Sequence, residues 1–225
     1  MKRLWIMLLA FTFVANTSSH AAEQEYNIFA VPSAEISNYV NEFGKKLKDQ
    51  TDIETFEQRG YLPHATLYLT SFKASDLDEV KAKVKDLARN QKSFPLIVDG
   101  THLTKGRWYF LDLTYSKDLQ RLSDKVVLSM EPMRNLDYQV PNWVKKYPEK
   151  LKTFERYGSP NVFAQYNPHL TQLAGEKNTK LDDFITAIKD EKIYVEGQVI
   201  GLGFAPVNPL GQVKSGDEEI FLFKK

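Results

Sequence analysis

The sequence predicts an α+β protein. Helical and strand periodicities alternate along the chain, and a hairpin stands where a parallel design would need another crossover helix. The composition, 42% hydrophobic and 26% charged over 225 residues, is that of a folded domain. Cysteine is absent, so the core forms without disulfides, which a chain of this length does not need.

Taken in order, Tyr26–Val31 (YNIFAV) reads as a short apolar strand closed by Pro32. Residues 34–49 carry Ile36, Tyr39, Val40, Phe43 and Leu47 at helical spacing, with Ser33 as the expected N-cap. In Leu62–Leu69, Ala65, Leu67 and Leu69 alternate with His64, Thr66 and Tyr68, the pattern of a half-buried strand. Asp76–Arg89 is helical, with Ser75 as the expected cap. Phe94–Leu103 and Arg107–Tyr115 form two strands around a turn at Lys105-Gly106. Asp118–Met130 is a further helix. Prolines and glycines punctuate residues 135–162, which are expected to form an insertion with one or two short helices. The chain then gives a strand over Phe163–Leu173 interrupted by Pro168, a helix over Leu181–Lys189, and last strands over Ile193–Phe204 and Glu219–Phe223.

Residues 1–21 read as an export signal: Lys2 and Arg3, an apolar run from Leu4 to Val14, then small residues up to Ala21. The run falls short of the roughly 20 residues a membrane span requires. The expectation is a signal peptide at 1–21, a single domain over 22–225, and a periplasmic or secreted protein with no membrane attachment after cleavage; an uncleaved anchor is the alternative. With 30 Lys+Arg against 29 Asp+Glu, bulk charge does not suit coating of duplex DNA.

Three histidines follow residue 21, and each has Thr two residues on: His64-Ala65-Thr66, His102-Leu103-Thr104 and His169-Leu170-Thr171. Two of them also follow proline, in Pro63-His64 and Pro168-His169. On a strand, residues i and i+2 share a face at roughly 6.5–7 Å, so each His and Thr can touch one phosphate together. Two such strands side by side supply a neutral imidazole as base, a protonated one as acid, and two hydroxyl donors. That set suits in-line phosphodiester cleavage without a metal. Three histidines can also ligate zinc, but the chain has neither His-x-His nor His-Glu-x-x-His, and each His has a hydroxyl companion instead of a second ligand. A lone His-x-Thr is a weak signal, since such a pair often only satisfies the backbone.

The paired motifs resemble the 2H phosphoesterase superfamily, which includes bacterial RNA 2′,3′-cyclic phosphodiesterases, also called 2′-5′ RNA ligases. The resemblance extends over LPHATLYL, FPLIVDGTHLTKGRWYFLDL and NPHLTQLAG. It implies a bilobal α+β fold of two mainly antiparallel sheets flanked by helices, with pseudo-twofold symmetry and a central cleft. It makes His64 and His169 the catalytic pair and Thr66 and Thr171 the substrate-binding hydroxyls. No cofactor or metal is implied, and the expected partner is a nucleotide or RNA-end phosphodiester bound by a monomer. His102 falls where the family has an ordinary strand and is expected to stand outside the chemistry. Gln172 departs from the usual apolar residue at the last motif position. Alternation puts Tyr68 on the face of His64 and Thr66, where it either contacts substrate or packs at the cleft edge. The Lys145–Arg156 stretch is read as a solvated basic face, with a phosphate track as the sharper alternative. Two functions follow: an exported phosphodiesterase acting on 2′,3′-cyclic phosphates or 2′,5′-linked nucleotides, and a non-catalytic nucleotide- or RNA-binding protein of the same fold.

Overall fold

The structure, a computed structural model, describes residues 24–224. The export signal expected at 1–21 lies outside the described residues. Among the described residues, seven strands, β1 (Glu25–Pro32), β2 (Ala65–Ser71), β3 (Phe94–Leu103), β4 (Tyr109–Leu113), β5 (His169–Leu173), β6 (Tyr194–Pro206) and β7 (Glu219–Leu222), alternate with five α-helices. The helices are α1 (Ala34–Thr51), α2 (Leu77–Arg89), α3 (Lys117–Met130), α4 (Pro148–Tyr157) and α5 (Lys180–Ala187).

All strand pairs are antiparallel, in the order β2-β1-β6-β3-β4-β5, with β7 also on β6. The two expected sheets are lobes of one hydrogen-bonded sheet because β6 serves both. Its first residues, Tyr194–Val199, pair with β3, and Val199–Pro206 pair with β1. The lobes match strand for strand: β2-β1-β6 in one corresponds to β5-β4-β3 in the other. β2 and β5, the ends of the path, contact each other. The Phe56 N–H bridges the lobes by donating to the Gln172 carbonyl at 2.9 Å.

Helices α1, α2 and α3 cover one face. α1 inserts Ile36, Val40, Phe43 and Leu47, α2 inserts Val80 and Val84, and α3 inserts Leu119, Leu122, Val126 and Met130 into a core shared with Ile28, Leu67, Leu111, Leu170 and Leu202. The apolar spacing that predicted these helices is the stripe they bury. Alternate strand residues point to the opposite face, which carries the small cluster of Phe29, Ala205 and Val213 and the histidines.

Several boundaries differ from the sequence reading for local reasons. Ser33 is the α1 N-cap residue, but its hydroxyl accepts from the Gln198 N–H at 3.1 Å and ties the helix start to β6. Ser75 lies in a 3₁₀ turn at 74–76, and α2 starts only at Leu77. In the segment 163–173 only the last five residues are strand, since Pro168 has no N–H to pair and 163–165 form a 3₁₀ turn. The insertion holds a 3₁₀ turn at 144–146 and α4, which ends on Gly158 at φ 68°, a left-handed cap. It is fastened to β2 by Tyr68 Oη donating to the Tyr157 carbonyl at 2.6 Å and Thr70 Oγ1 donating to the Gly158 carbonyl at 2.8 Å.

Tyr68 therefore does not share the face of His64 and Thr66. Ile28 pairs with Tyr68 and Phe29 with Thr66, so Leu67 is an extra residue, a β-bulge, and alternation reverses after it. Tyr68 is fully buried in the helix-side core, and its placement corrects the expectation that it lines the site.

Candidate active site

His64 and His169 stand at the N-terminal ends of β2 and β5, and their surroundings repeat. The Nδ1 of His64 lies 2.8 Å from the Leu62 carbonyl, and the Nδ1 of His169 lies 2.8 Å from the Asn167 carbonyl. In each case the partner is the carbonyl two residues back, across the intervening proline. A carbonyl only accepts, so both Nδ1 atoms carry hydrogen and each neutral ring has its lone pair on Nε2. Nε2 is then the base when the ring is neutral and the acid when it is protonated.

Each imidazole also packs on a phenylalanine from the next strand. Phe29 meets His64 with centroids 5.2 Å apart, and Phe110 stacks on His169 at 3.9 Å. The register repeats as well. Phe29 pairs with Thr66 and Phe110 with Thr171, each beside a bulge, with Leu67 the extra residue in one lobe and Gln172 in the other. The two bulges set His and Thr on the open face in both lobes. Gln172 fills the bulge position with a buried side chain whose Oε1 has no hydrogen-bond partner among the described residues.

Burial lowers the pKa of both histidines. That of His64 falls because the ring is enclosed, opposed by its backbone hydrogen bond. That of His169 is pushed down to about 4, chiefly by burial and further by the positive charges that His102, His64 and Lys150 can carry. His64 is nearly closed to solvent, whereas His169 keeps part of its surface open. The charge of His64 acts on His169, which places the first motif within electrostatic reach of the second.

The hydroxyls are prepared differently. Thr66 Oγ1 accepts a 2.9 Å hydrogen bond from the Asn27 Nδ2 of β1, which leaves the Thr66 hydroxyl hydrogen free to donate. Asn27 is fully buried and escaped the sequence reading, although one amide inside the apolar strand YNIFAV was its signal. Thr171, half-buried, makes no side-chain hydrogen bond among the described residues.

Two further residues come to this site. His102 pairs with Phe110 across β3 and β4, so His102, Phe110 and Thr171 form one row on the open face. Its ring meets the Phe110 ring edge-on at 5.1 Å, and its Nδ1 bonds the Asp112 carboxylate. Lys150 of α4 belongs to the stretch that the sequence marks as a solvated basic face. It is half-buried, donates to Asn161 on the segment leading to His169, and lies near the Trp143 ring. Burial lowers its pKa.

Two imidazoles with matched tautomers, each beside a threonine, on an antiparallel α+β frame define a site of the two-histidine phosphoesterase class. A family model described as the 2′-5′ RNA ligase superfamily matches residues 32–205. The chain belongs to that superfamily. Among solved structures, TT0787 of Thermus thermophilus shares the fold, with a TM-score of 0.52, 15% identity, and coverage of 89% of this chain and all of that one. A structure described as a phosphoesterase has a TM-score of 0.46 at 13% identity, covering 90% of this chain and 96% of that chain. LigT of E. coli complexed with NADP+ has a TM-score of 0.45 at 12% identity, with the same coverage. No curated protein matches the chain in sequence.

Proposed function

We propose that this protein is an exported, metal-independent phosphodiesterase that hydrolyses 2′,3′-cyclic phosphates or 2′,5′-linked nucleotides at RNA ends. The observation that carries this reading is the duplicated imidazole geometry, with Nδ1 committed to a carbonyl and Nε2 available in both His64 and His169. Binding alone does not require two matched proton carriers, so this favours turnover over a purely binding role.

In the proposed reaction a water oxygen attacks phosphorus while the neutral histidine takes its proton through Nε2. The bond from phosphorus to the leaving ribose oxygen breaks, and the protonated histidine gives that oxygen its proton. Thr66 and Thr171 donate to the non-bridging oxygens as charge builds there, which is the role of an oxyanion site. The histidines end with their protonation states exchanged and return to the starting state by proton exchange with water. The site is pseudo-symmetric, so the orientation of substrate decides which histidine begins as base.

A panel of 2′,3′-cyclic mononucleotides, 2′,5′- and 3′,5′-linked dinucleotides and 3′,5′-cyclic nucleotides, incubated with the protein in EDTA and resolved by chromatography, tests the reading. Turnover of the first two classes supports it. Nucleotide binding with no turnover of any member replaces it with the non-catalytic alternative. Export is tested by mass spectrometry of protein recovered from the periplasm or medium: an N-terminus at or near Ala22 is expected, and intact Met1 on membrane-bound protein contradicts it.

A further inference from the structure

One polar difference between the two lobes lies beside one histidine only. Phe29 of β1 pairs with Gly203 of β6, whereas its counterpart Phe110 of β4 pairs with His102 of β3. Two residues on, Val31 follows Phe29 and Asp112 follows Phe110, and Asp112 is the direct strand partner of His169. The fold is thus built in one lobe with Gly203 and Val31 at the positions where the other lobe has His102 and Asp112. The fold does not need the polar pair, so its presence next to His169 calls for another reason.

A carboxylate directly across a strand pair from an imidazole has its Cβ about 4.5–5.5 Å away, close enough to form an ion pair. Such a partner favours the charged imidazole and raises its pKa. Asp112 instead bonds the Nδ1 of His102. The charged and titratable groups around His169 are His64 ahead of β2, His102 of β3, Asp112 of β4 and Lys150 of α4. Asp112 is the carboxylate in this set. The other three act together to disfavour a proton on His169.

We propose that His102 is a positioning residue for His169: by engaging the Asp112 carboxylate it keeps that carboxylate from pairing with His169, and so preserves a proton-exchanging imidazole there. The inference rests on the reading of His169 as a catalytic histidine. Its consequence is that loss of His102 harms the proton balance of the site more than its architecture. Freed Asp112 turns to His169 and holds it in the charged form to higher pH.

Imidazole signals followed by NMR through a pH titration test this in the full chain without any need for turnover. In the wild type the expected His169 midpoint is about 4. In His102→Ala its midpoint rises by about one unit or more, the scale of a newly formed pair with an opposite charge. In His102→Ala/Asp112→Asn it falls back towards wild type, because the freed group is no longer a carboxylate. His102→Asn, whose amide nitrogen stands near the place of Nδ1 and donates to Asp112, stays closer to wild type than His102→Ala. The acid limb of kcat/KM moves with the His169 midpoint. The inference is overturned if the His169 midpoint is unmoved in His102→Ala, or if the rise persists in the double variant. A midpoint that shifts as expected in a protein without phosphodiesterase turnover leaves the electrostatic coupling standing and removes the catalytic reading instead.

Discussion

Gly203 makes the space that Phe29 fills: a Cβ at residue 203 would stand 2.1 Å from Cζ of Phe29, the ring on which His64 packs. Gly203→Ala must displace that ring and, with it, the imidazole. The expected stability cost is about 1–3 kcal/mol, the usual range for overpacking. A catalytic group misplaced by about 1 Å can cost 10²-fold in rate, so kcat should fall by that order. Phe29→Leu added to Gly203→Ala should recover stability more than activity, since room returns but the aromatic support does not. Thermal unfolding and steady-state kinetics on the wild type and these two variants check this, and an unchanged kcat in Gly203→Ala would contradict the bracing role of Phe29.

Asn27→Asp tests the donor state of Thr66. The isosteric carboxylate has no N–H, so it can only accept, and it draws the Thr66 hydroxyl hydrogen away from the phosphate while adding negative charge beside it. Loss of one oxyanion donor costs about 10²–10³ in kcat, and Asn27→Asp should fall in that range. If the loss matches Thr66→Ala, Asn27 acts through Thr66; a variant as active as wild type would show that the 2.9 Å contact does not orient the hydroxyl.

Most of this site was legible in the sequence because its signals are local. The His-x-Thr spacing and the preceding prolines announced the two strand entrances, and the apolar stripes of α1, α2 and α3 announced the helices that carry the sheet. Three features were hidden because they depend on register between distant segments. The bulge at Leu67 turned Tyr68 into the core, and one extra residue in a strand leaves no mark in a short alternating pattern. The placement of His102 beside Phe110 follows from the β3–β4 register, which strand alternation alone does not fix. The joining of two sheets into one came from β6, whose 13 residues run through both lobes and so exceed what either lobe needs.

Activity should peak on the acid side of the ordinary imidazole range. The free enzyme needs one proton on the His64–His169 pair, and burial lowers the pKa of both, with His169 near 4. The bell in kcat/KM should therefore have its maximum below the ordinary value of about 6.5, with limbs that belong to the pair. Bound phosphodiester is anionic and favours imidazolium, so the kcat profile should lie at higher pH than that of kcat/KM. The same shifts act on stability. Below about 6.5 the unfolded chain binds more protons at these positions than the folded one, for His169 down to about 4, so stability rises with pH there, by at most about 1.4 kcal/mol per unit for each histidine. His169→Gln should flatten part of this slope in denaturant titrations between pH 4 and 7. A kcat/KM maximum at pH 8 would contradict the assignment of the pair.

Gln172→Leu should stabilise the protein. The side chain is 1% exposed and its Oε1 has no partner among the described residues, whereas the matching residue of the other lobe is Leu67. An unsatisfied buried polar group costs about 1–3 kcal/mol, and the leucine should recover about 1 kcal/mol of that in chemical denaturation. Residue 172 faces away from the histidines, so kcat should stay within a factor of about three, far below the 10²–10⁴ span of a lost proton carrier. A destabilised variant would mean that the Oε1 atom is satisfied in solution.

That His64 and His169 work as one acid–base pair without a metal is tested by turnover of a 2′,3′-cyclic mononucleotide in EDTA by wild type, His64→Ala, His169→Ala and the double variant. Undiminished wild-type activity in EDTA is expected, with a loss of about 10²–10⁴ in kcat for each single variant, the range for one proton-transfer partner. The double variant should lose less than the product of the two, because groups acting as a unit are not additive. Thr66→Ala and Thr171→Ala should lose about 10²–10³ each, while His102→Ala keeps its plateau rate. Complete loss of activity in EDTA restored by zinc or manganese, or an abolished His102→Ala beside an intact His64→Ala or His169→Ala, would contradict it.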